Sequence, residues 1–408
     1  MSDPAREFDV IVYGATGFVG VLTARHLATN APAGTRIALA GRSPEKLESV
    51  RARLGVEWPI VVADATDAEA LATMAGSTRV VITTAGPYAK YGRILARVCA
   101  EAGTDYVDLT GEVLFARDSI DDNHETAKRT GARIVHSCGF DSIPSDIGVF
   151  VLHERVRADN AGELTDTTLV VTHLRGGVSG GTIDSMRYQV DVMKKDRRLR
   201  AIGASAYSLS PDRKAEPDLG RQPDMLAMPA SEVDPGLRGH LAPFVMASYN
   251  TRVVRRSNAL LNWAYGRQFR YREVMRVSSP MRARVIKAGL NSLFVGLAVP
   301  PSRFVLDRFL PKPGTGPSEQ TQQNGHFTMD IFTTTTDGSR YTARFRAKGD
   351  PGYAATAVML GESALALALD RDRLPSSGGG VLTPATGIGN ALVDRLRTAG
   401  MEITASKQ

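Results

Sequence analysis

The first 140 residues alternate two kinds of segment. Short apolar, β-branched runs stand at 8–14 (FDVIVYG), 36–41 (RIALAG), 59–64 (PIVVAD), 79–86 (RVVITTAG), 105–111 (DYVDLTG) and 132–139 (ARIVHSCG). Between them lie stretches with helical spacing, such as VGVLTARHLA and GRILARVCAEAG. Continuous apolar strands separated by helices are those of a sheet covered on both faces, which predicts parallel strands with right-handed crossovers. Functional groups then collect at the carboxyl ends of the strands.

Beyond Ser142 the pattern changes. TDTTLVVTHLRGG reads as a strand, and HFTMDIFTTTTDGSRYTARFRAKGD as two Thr-rich alternating arms turning at Asp337-Gly338. This region is expected to be an α+β domain with an antiparallel sheet. The polar, Pro- and Gly-rich run 311–325 reads as a loop. From Tyr353 the chain turns helical (YAATAVMLGESALALAL), passes SSGGG and reaches a last helix near Gly389–Thr398. The expected plan is α/β: a nucleotide-binding domain over 1–141, an inserted α+β domain over 142–350, and helices of 351–408 returning to the first domain. No internal repeat is visible.

Composition adds bounds. A chain of 408 residues is long enough for two domains and a sizeable core. Its 43% hydrophobic and 23% charged residues are those of a soluble globular protein. No uncharged apolar run reaches the roughly 18 residues of a spanning helix, and the N-terminal residues lack a secretory signal pattern. With Cys99 and Cys138 as the two cysteines, no disulfide framework is implied and a cytoplasmic location fits. The net charge of +7 is local. Residues 251–290 hold ten cations (Arg252, Arg255, Arg256, Arg267, Arg270, Arg272, Arg276, Arg282, Arg284, Lys287) against Glu273. Such a patch suggests an acidic partner or a membrane surface rather than nucleic acid.

The candidate chemistry begins at Gly14-Ala15-Thr16-Gly17-Phe18-Val19-Gly20, between the first strand and the first helix. Gly14 permits the tight turn, Gly17 lets backbone amides approach a pyrophosphate, and Gly20 lets the helix pack close to the strand. At the end of the second strand, where an acid would accept from a ribose 2′-hydroxyl, stand Gly41, Arg42 and Ser43, with Lys46 one turn on. Charge-assisted contacts to a 2′-phosphate are worth roughly 1.5–3 kcal/mol each, so NADP(H) is the expected cofactor. Asp64 and Ala65 suit the adenine edge. Gly86 and Pro87 suit the nicotinamide ribose, and a structural turn is the alternative reading of each pair.

The sequence offers no G-x-S-x-G nucleophile elbow and no metal-ligand spacing. None of the eleven tyrosines is followed four residues later by lysine, so a Tyr-x-x-x-Lys proton donor is excluded. Tyr88 and Glu112 remain as candidate catalytic groups, Glu112 equally as a helix cap. In SCGFDSIPSD (137–146), Cys138, Gly139 and Phe140 stand as cofactor contacts. Cys138 also reads as a packed side chain, and Asp141 and Ser142 as turn caps or cofactor contacts. A helix predicted from Ser279-Pro280 places Ile286, Leu290, Leu293, Phe294 and Leu297 on one face. Either that face packs internally or in a homodimer, or the segment 279–298 meets a carrier domain or a membrane.

Taken in order, GATGFVG, AGRSPEKL, AGPYAKYG, EAGTDYVDLTGE, CGFDSIPSDIG, SGGT, GDPGYAATAVMLGESAL and GGGVLTPATGIG resemble the saccharopine dehydrogenase-like family. They are most similar to its trans-acting enoyl reductases, which work with polyketide synthases of cell-envelope lipid biosynthesis. The resemblance implies a Rossmann-type NADP-binding domain with an inserted mixed domain. It implies Gly14, Thr16, Gly17, Phe18, Val19, Gly20, Arg42 and Gly86 as cofactor contacts. It further implies reduction of an α,β-unsaturated thioester on a carrier-bound acyl chain, with no catalytic residue to transfer. An amino-acid dehydrogenase like the family's namesake, and a non-catalytic nucleotide-binding protein at a lipid surface, are the competing readings.

Overall fold

The computed structural model describes residues 6–176, 180–299 and 324–408. Their strands are β1 (Phe8–Tyr13), β2 (Ile37–Gly41), β3 (Ile60–Val62), β4 (Thr78–Thr83), β5 (Asp105–Val107), β6 (Arg133–Val135), β7 (Leu164–Arg175), β8 (Met228–Pro229), β9 (His240–Pro243), β10 (Arg270–Val277), β11 (His326–Thr335), β12 (Arg340–Lys348), β13 (Gly380–Leu382) and β14 (Glu402–Lys407). Most of the expected loop 311–325, and Gly177 to Ser179 of the Gly-rich turn, lie outside the described residues.

The first sheet is parallel, in the order β3-β2-β1-β4-β5-β6-β13. Every residue of β1 and β2 is buried, which explains their unbroken apolar character. From β1 the chain winds outward through β2 and β3, then crosses back to β4 beside β1. That reversal opens a crevice at the carboxyl ends of β1 and β4, where open α/β sheets bind ligands.

The second sheet is mixed, in the order β14-β12-β11-β7-β10-β9-β8. The pair β7–β10 is parallel and the remaining pairs are antiparallel. On β12, Tyr341, Ala343, Phe345 and Ala347 point inward, while Arg344 and Arg346 face out, the period-2 pattern of a sheet with one wet face. The β11–β12 turn is closed by Asp337, which accepts the Ser339 amide at 2.8 Å, and by Gly338 at φ +84.

Helix Thr356–Leu369 covers the first sheet, packing on helix Phe18–Asn30 and against β4 and β1. With the preceding π turn Pro351–Ala355 it forms a helix long and apolar enough to cross a membrane, yet 78% of its apolar window is buried inside the protein. It is a core element. β13 extends the first sheet beside β6, whereas β14 pairs with β12 at the edge of the second.

The basic segment divides in the folded chain. Arg252, Arg255 and Arg256, on helix Ala247–Leu260, are buried. Arg252 pairs with Asp224, Arg255 donates to the carbonyl of Tyr271 at 2.8 Å, and Arg256 donates to those of Leu209 and Val381 at 2.6 Å. These three guanidiniums hold separate chain segments together, so they are not part of a charged surface.

Candidate active site

A cavity of about 850 Å³ opens at the carboxyl ends of the first sheet and continues beneath the second domain. Its near wall is the glycine turn: Gly14, Thr16, Gly17, Phe18 and Val19 line it. Gly14 sits at φ +80, and a Cβ there would lie 2.9 Å from Thr84 Oγ1, the hydroxyl that donates back to the Gly14 carbonyl at 3.0 Å. Gly20 stands behind the lining, where a Cβ would fall 2.2 Å from the Gly14 oxygen. Its role is the close packing of helix on turn. Phe18 meets Tyr353 of the π turn edge-on at 4.9 Å.

Arg42, just past β2, lines the cavity and is exposed. Among the described residues it makes no hydrogen bond or ion pair, which leaves its guanidinium open to an anion. Ser43 caps helix Pro44–Leu54 and donates to Glu45 at 3.0 Å, so its hydroxyl is engaged away from the cavity. Lys46 is exposed and off the lining. Asp64 and Ala65 line the same end. Hydrogen bonds from Thr66, helped by the charge of Arg42, keep the Asp64 carboxyl below its usual range.

At the other end converge the loops after β4, β5 and β6. Gly86, Pro87 and Tyr88 line the cavity. Glu112 is buried behind them. One of its oxygens accepts the Tyr88 amide at 2.8 Å and the Ser185 hydroxyl at 2.7 Å, and the other accepts the Ala89 amide at 2.9 Å. Burial pushes its carboxyl up, opposed by these hydrogen bonds. The Tyr88 hydroxyl is engaged too, donating to the Thr83 carbonyl and accepting the Leu109 amide, both at 3.2 Å. Burial raises it well above the ordinary tyrosine range. Glu112 thus ties helix Tyr88–Tyr91 to helix Gly180–Lys195.

Asp108, fully buried, organises the β5 and β6 loops. It accepts the amides of Thr110 at 3.0 Å and Ser137 at 2.9 Å and the Tyr106 hydroxyl at 2.9 Å, with His136 Nδ1 at 2.7 Å. His136 Nε2 in turn lies 2.8 Å from Ser119 Oγ. This Ser–His–Asp line stands off the lining, and Ser119 lies within helix Val113–Thr130, so it works as a brace. Cys138 is wholly buried and off the lining, its thiol pushed up by burial. An apolar thiol held protonated is inert. Gly139 and Phe140 line the cavity, the Phe140 amide donating to Thr356 Oγ1 at 3.0 Å.

Asp141, read as a turn cap or a cofactor contact, lies on the cavity wall and has no hydrogen bond or ion pair among the described residues. Ser142 turns away, donating to Asn250 at 3.0 Å. The apolar part of the wall is made by Leu109, Leu174, Met186, Phe244, Val245 and Met246, with Asp184, Ser185 and Gln189 beside Met186. Among the described residues, Arg42 is the one cation on the cavity wall.

Residues 10–135 match the saccharopine dehydrogenase NADP-binding domain. A Mycobacterium tuberculosis protein provisionally named a trans-acting enoyl reductase is 51% identical over 421 residues, covering 100% of this chain and 99% of the relative. A Mycobacterium leprae protein named trans-acting enoyl reductase is 48% identical, covering 100% of both chains. The chain belongs to the saccharopine dehydrogenase-like family. The fold agrees: the apo saccharopine dehydrogenase (L-Glu forming) of Saccharomyces cerevisiae superposes with a TM-score of 0.56 at 13% identity, covering 98% of this chain and 99% of that one.

As a saccharopine dehydrogenase-like protein, the chain binds NADP(H) through its first domain. The site fits that cofactor. A glycine turn with no room for Cβ atoms suits a pyrophosphate, and an unpaired guanidinium beyond β2 suits a 2′-phosphate.

Proposed function

We propose that this chain is an NADPH-dependent enoyl reductase acting in trans on the α,β-unsaturated thioester of a carrier-bound acyl or polyketide chain. One observation carries this choice over an amino-acid dehydrogenase. Beyond Arg42, the described cavity wall holds no cation to fix a substrate carboxylate; it carries the apolar side chains of Leu109, Leu174, Met186, Phe244, Val245 and Met246, and its charged groups away from Arg42 are the acids Asp141 and Asp184. A buried carboxylate without a partner is costly, whereas an acyl chain gains from burial at about 25 cal/mol per Å². The names of the relatives support the same reaction.

When bound, the reduced dinucleotide supplies the hydride for the β-carbon of the thioester. The chain's own residues bind and position. The glycine turn and Arg42 hold the phosphates, Glu112 fixes helix Tyr88–Tyr91, and Phe244 and Met246 exclude water from the acyl chamber. The test is loss of reduced-nicotinamide absorbance with a 2-enoyl pantetheine thioester, against the same assay with amino-acid and 2-oxo-acid pairs. Turnover of the thioester supports the proposal. Turnover of the amino-acid substrates alone transfers the chain to the runner-up, and cofactor binding without turnover makes it non-catalytic.

We further infer that helix Pro280–Ala298 receives the carrier domain. The stripe foreseen from the sequence faces inward, with Leu297 buried and Ile286, Leu290 and Leu293 half-buried; Phe294 lies outside the described side chains. The opposite face exposes Met281, Val285 and Val295, with Val299 just beyond, flanked by exposed Arg282 and Arg284. An apolar stripe with basic flanks complements an acidic carrier. A cytoplasmic setting is inferred alongside, in keeping with two free, buried cysteines.

A further inference from the structure

Residues 137–143 form a turn in which almost every polar group is engaged. Ser137, at φ +66, donates its amide to Asp108 at 2.9 Å and its hydroxyl to the Thr110 carbonyl at 2.8 Å, with the Tyr249 hydroxyl 2.6 Å away. The Cys138 amide donates to the Asp108 carbonyl at 2.7 Å, and the Ile143 amide to the Gly139 carbonyl at 2.9 Å. Phe140 and Ser142 are bonded to Thr356 and Asn250. A Cβ on Gly139 would lie 2.7 Å from Leu109 Cδ2 and 3.2 Å from Thr356 Cγ2, so neighbouring side chains would have to shift to admit one. The turn is therefore well tied down, and of its lining residues Asp141 is the one whose side chain has no hydrogen-bond or ion-pair partner among the described residues.

A half-buried carboxyl with no cation and no donor among the described residues is uncommon in folded proteins unless it meets something the protein binds. Its place in the fold is specific: the loop after β6 shares the cavity with the Gly86–Tyr88 and Leu109–Gly111 loops, the end of the crevice away from Arg42. The two groups that the sequence offered as catalytic candidates, Tyr88 and Glu112, are committed to structural hydrogen bonds.

We propose that Asp141 delivers the proton in the reduction, an inference that rests on the enoyl thioester reading above. Hydride addition to the β-carbon breaks the C=C π bond and leaves an enolate of the thioester. The Asp141 carboxyl then gives its proton to the α-carbon, forming the second new C–H bond. The dinucleotide ends oxidised by two electrons, the acyl chain ends reduced by the same two, and the Asp141 carboxylate regains a proton from water.

Burial alone raises the Asp141 carboxyl from 3.8 to about 6, which keeps an acid form available near neutrality. The other titratable groups on the cavity wall, among the described residues, are Tyr13, Arg42 and Asp64 at one end, Tyr88 and Tyr91 on helix Tyr88–Tyr91, Asp184 on helix Gly180–Lys195 and Tyr353 in the π turn, with Glu112 and Tyr249 of helix Ala247–Leu260 behind it. Tyr249 is held up first by burial and, among smaller causes, by the charge of Asp141.

The test compares wild type with Asp141→Asn and Asp141→Glu in three measurements. These are NADPH binding by calorimetry, single-turnover reduction of a 2-enoyl pantetheine thioester across pH, and carbon-13 carboxyl titration of the unliganded proteins. Asp141→Asn is expected to bind NADPH as wild type does and to reduce the thioester about 10²–10⁴-fold more slowly. It should also lose the fall in rate as pH rises through about 6, together with one aspartate resonance titrating there. Asp141→Glu should recover part of the rate. An Asp141→Asn protein with the wild-type rate and pH profile overturns the inference and leaves enoyl reduction standing. An unchanged maximal rate with a raised KM makes Asp141 a binding group and also overturns it. Wild-type protein inert toward the thioester defeats the underlying reading instead, while the carboxyl titration still reports whether Asp141 is unpaired.

Discussion

The carboxylate of Glu112 accepts the backbone amide of Tyr88 at 2.8 Å, which makes one scaffold of two side chains that looked like separate acids. Glu112→Gln would turn an amide N–H toward the amide of Tyr88 or Ala89. It is expected to cost about 1–3 kcal/mol of stability, read from the urea midpoint. Tyr88→Phe is expected to leave reduction within about tenfold of wild type, because a proton donor's loss costs 10²–10⁴-fold and this hydroxyl already serves Thr83 and Leu109.

We propose Arg42 as the residue that discriminates between the two dinucleotides. Arg42→Ala should weaken NADPH binding by roughly 10–150-fold, the equivalent of one charged hydrogen-bond set of 1.5–3 kcal/mol. NADH binding should stay as it was. Calorimetry with both dinucleotides checks this, and equal losses for the two would assign Arg42 to the fold.

Glu273 couples stability to pH. It is buried on β10 and accepts Asn250 Nδ2 and the Tyr271 hydroxyl, both at 2.9 Å, with no cation beside it. Burial raises it from 4.5 to about 7. The folded state therefore holds the proton more tightly than the unfolded one. Its favourable contribution is complete below pH 4.5 and is lost as pH rises to about 7. Glu273→Gln should be more stable than wild type above that range, by up to about 2–3 kcal/mol, and the gap should close on acidification. Urea denaturation of both proteins across pH gives the comparison, and a gap that widens toward acid would refute it.

The helix Pro280–Ala298 proposal is tested by reversing Arg282, Arg284 and Lys287 to glutamate together. KM for a carrier-bound enoyl chain should rise by about tenfold or more at low salt, with less effect at high salt. The pantetheine thioester should be unaffected. An unchanged carrier KM with lost vesicle binding would make the helix a membrane contact, and a change in oligomeric state would make it a self-interface.

The readable parts of this protein were those whose cause is local. The glycine turn, the free arginine after β2 and the Asp337-Gly338 hairpin each follow from residues within a few positions of one another. Arg252, Arg255 and Arg256 looked like surface charge because their partners, Asp224 and the carbonyls of Tyr271, Leu209 and Val381, lie in distant segments. Helix Pro280–Ala298 carries apolar residues on two faces, and periodicity alone did not show which one the protein covers. Asp141 was legible in position, at a strand's carboxyl end. Its isolation was not, because it depends on Asp108, Thr356 and Asn250 occupying all of its neighbours.

The chain's final turns bear on how such a protein can be made. β13 closes the edge of the first sheet at Leu382, and β14 enters the second sheet at Glu402. Helix Thr356–Leu369, the cover of β1 and β4, follows both arms of the β11–β12 hairpin in the chain. A nascent chain that has emitted only its nucleotide-binding third thus exposes a greasy sheet face with no lid. A chain cut before Gly380 would lose an edge strand from each of the two sheets at once.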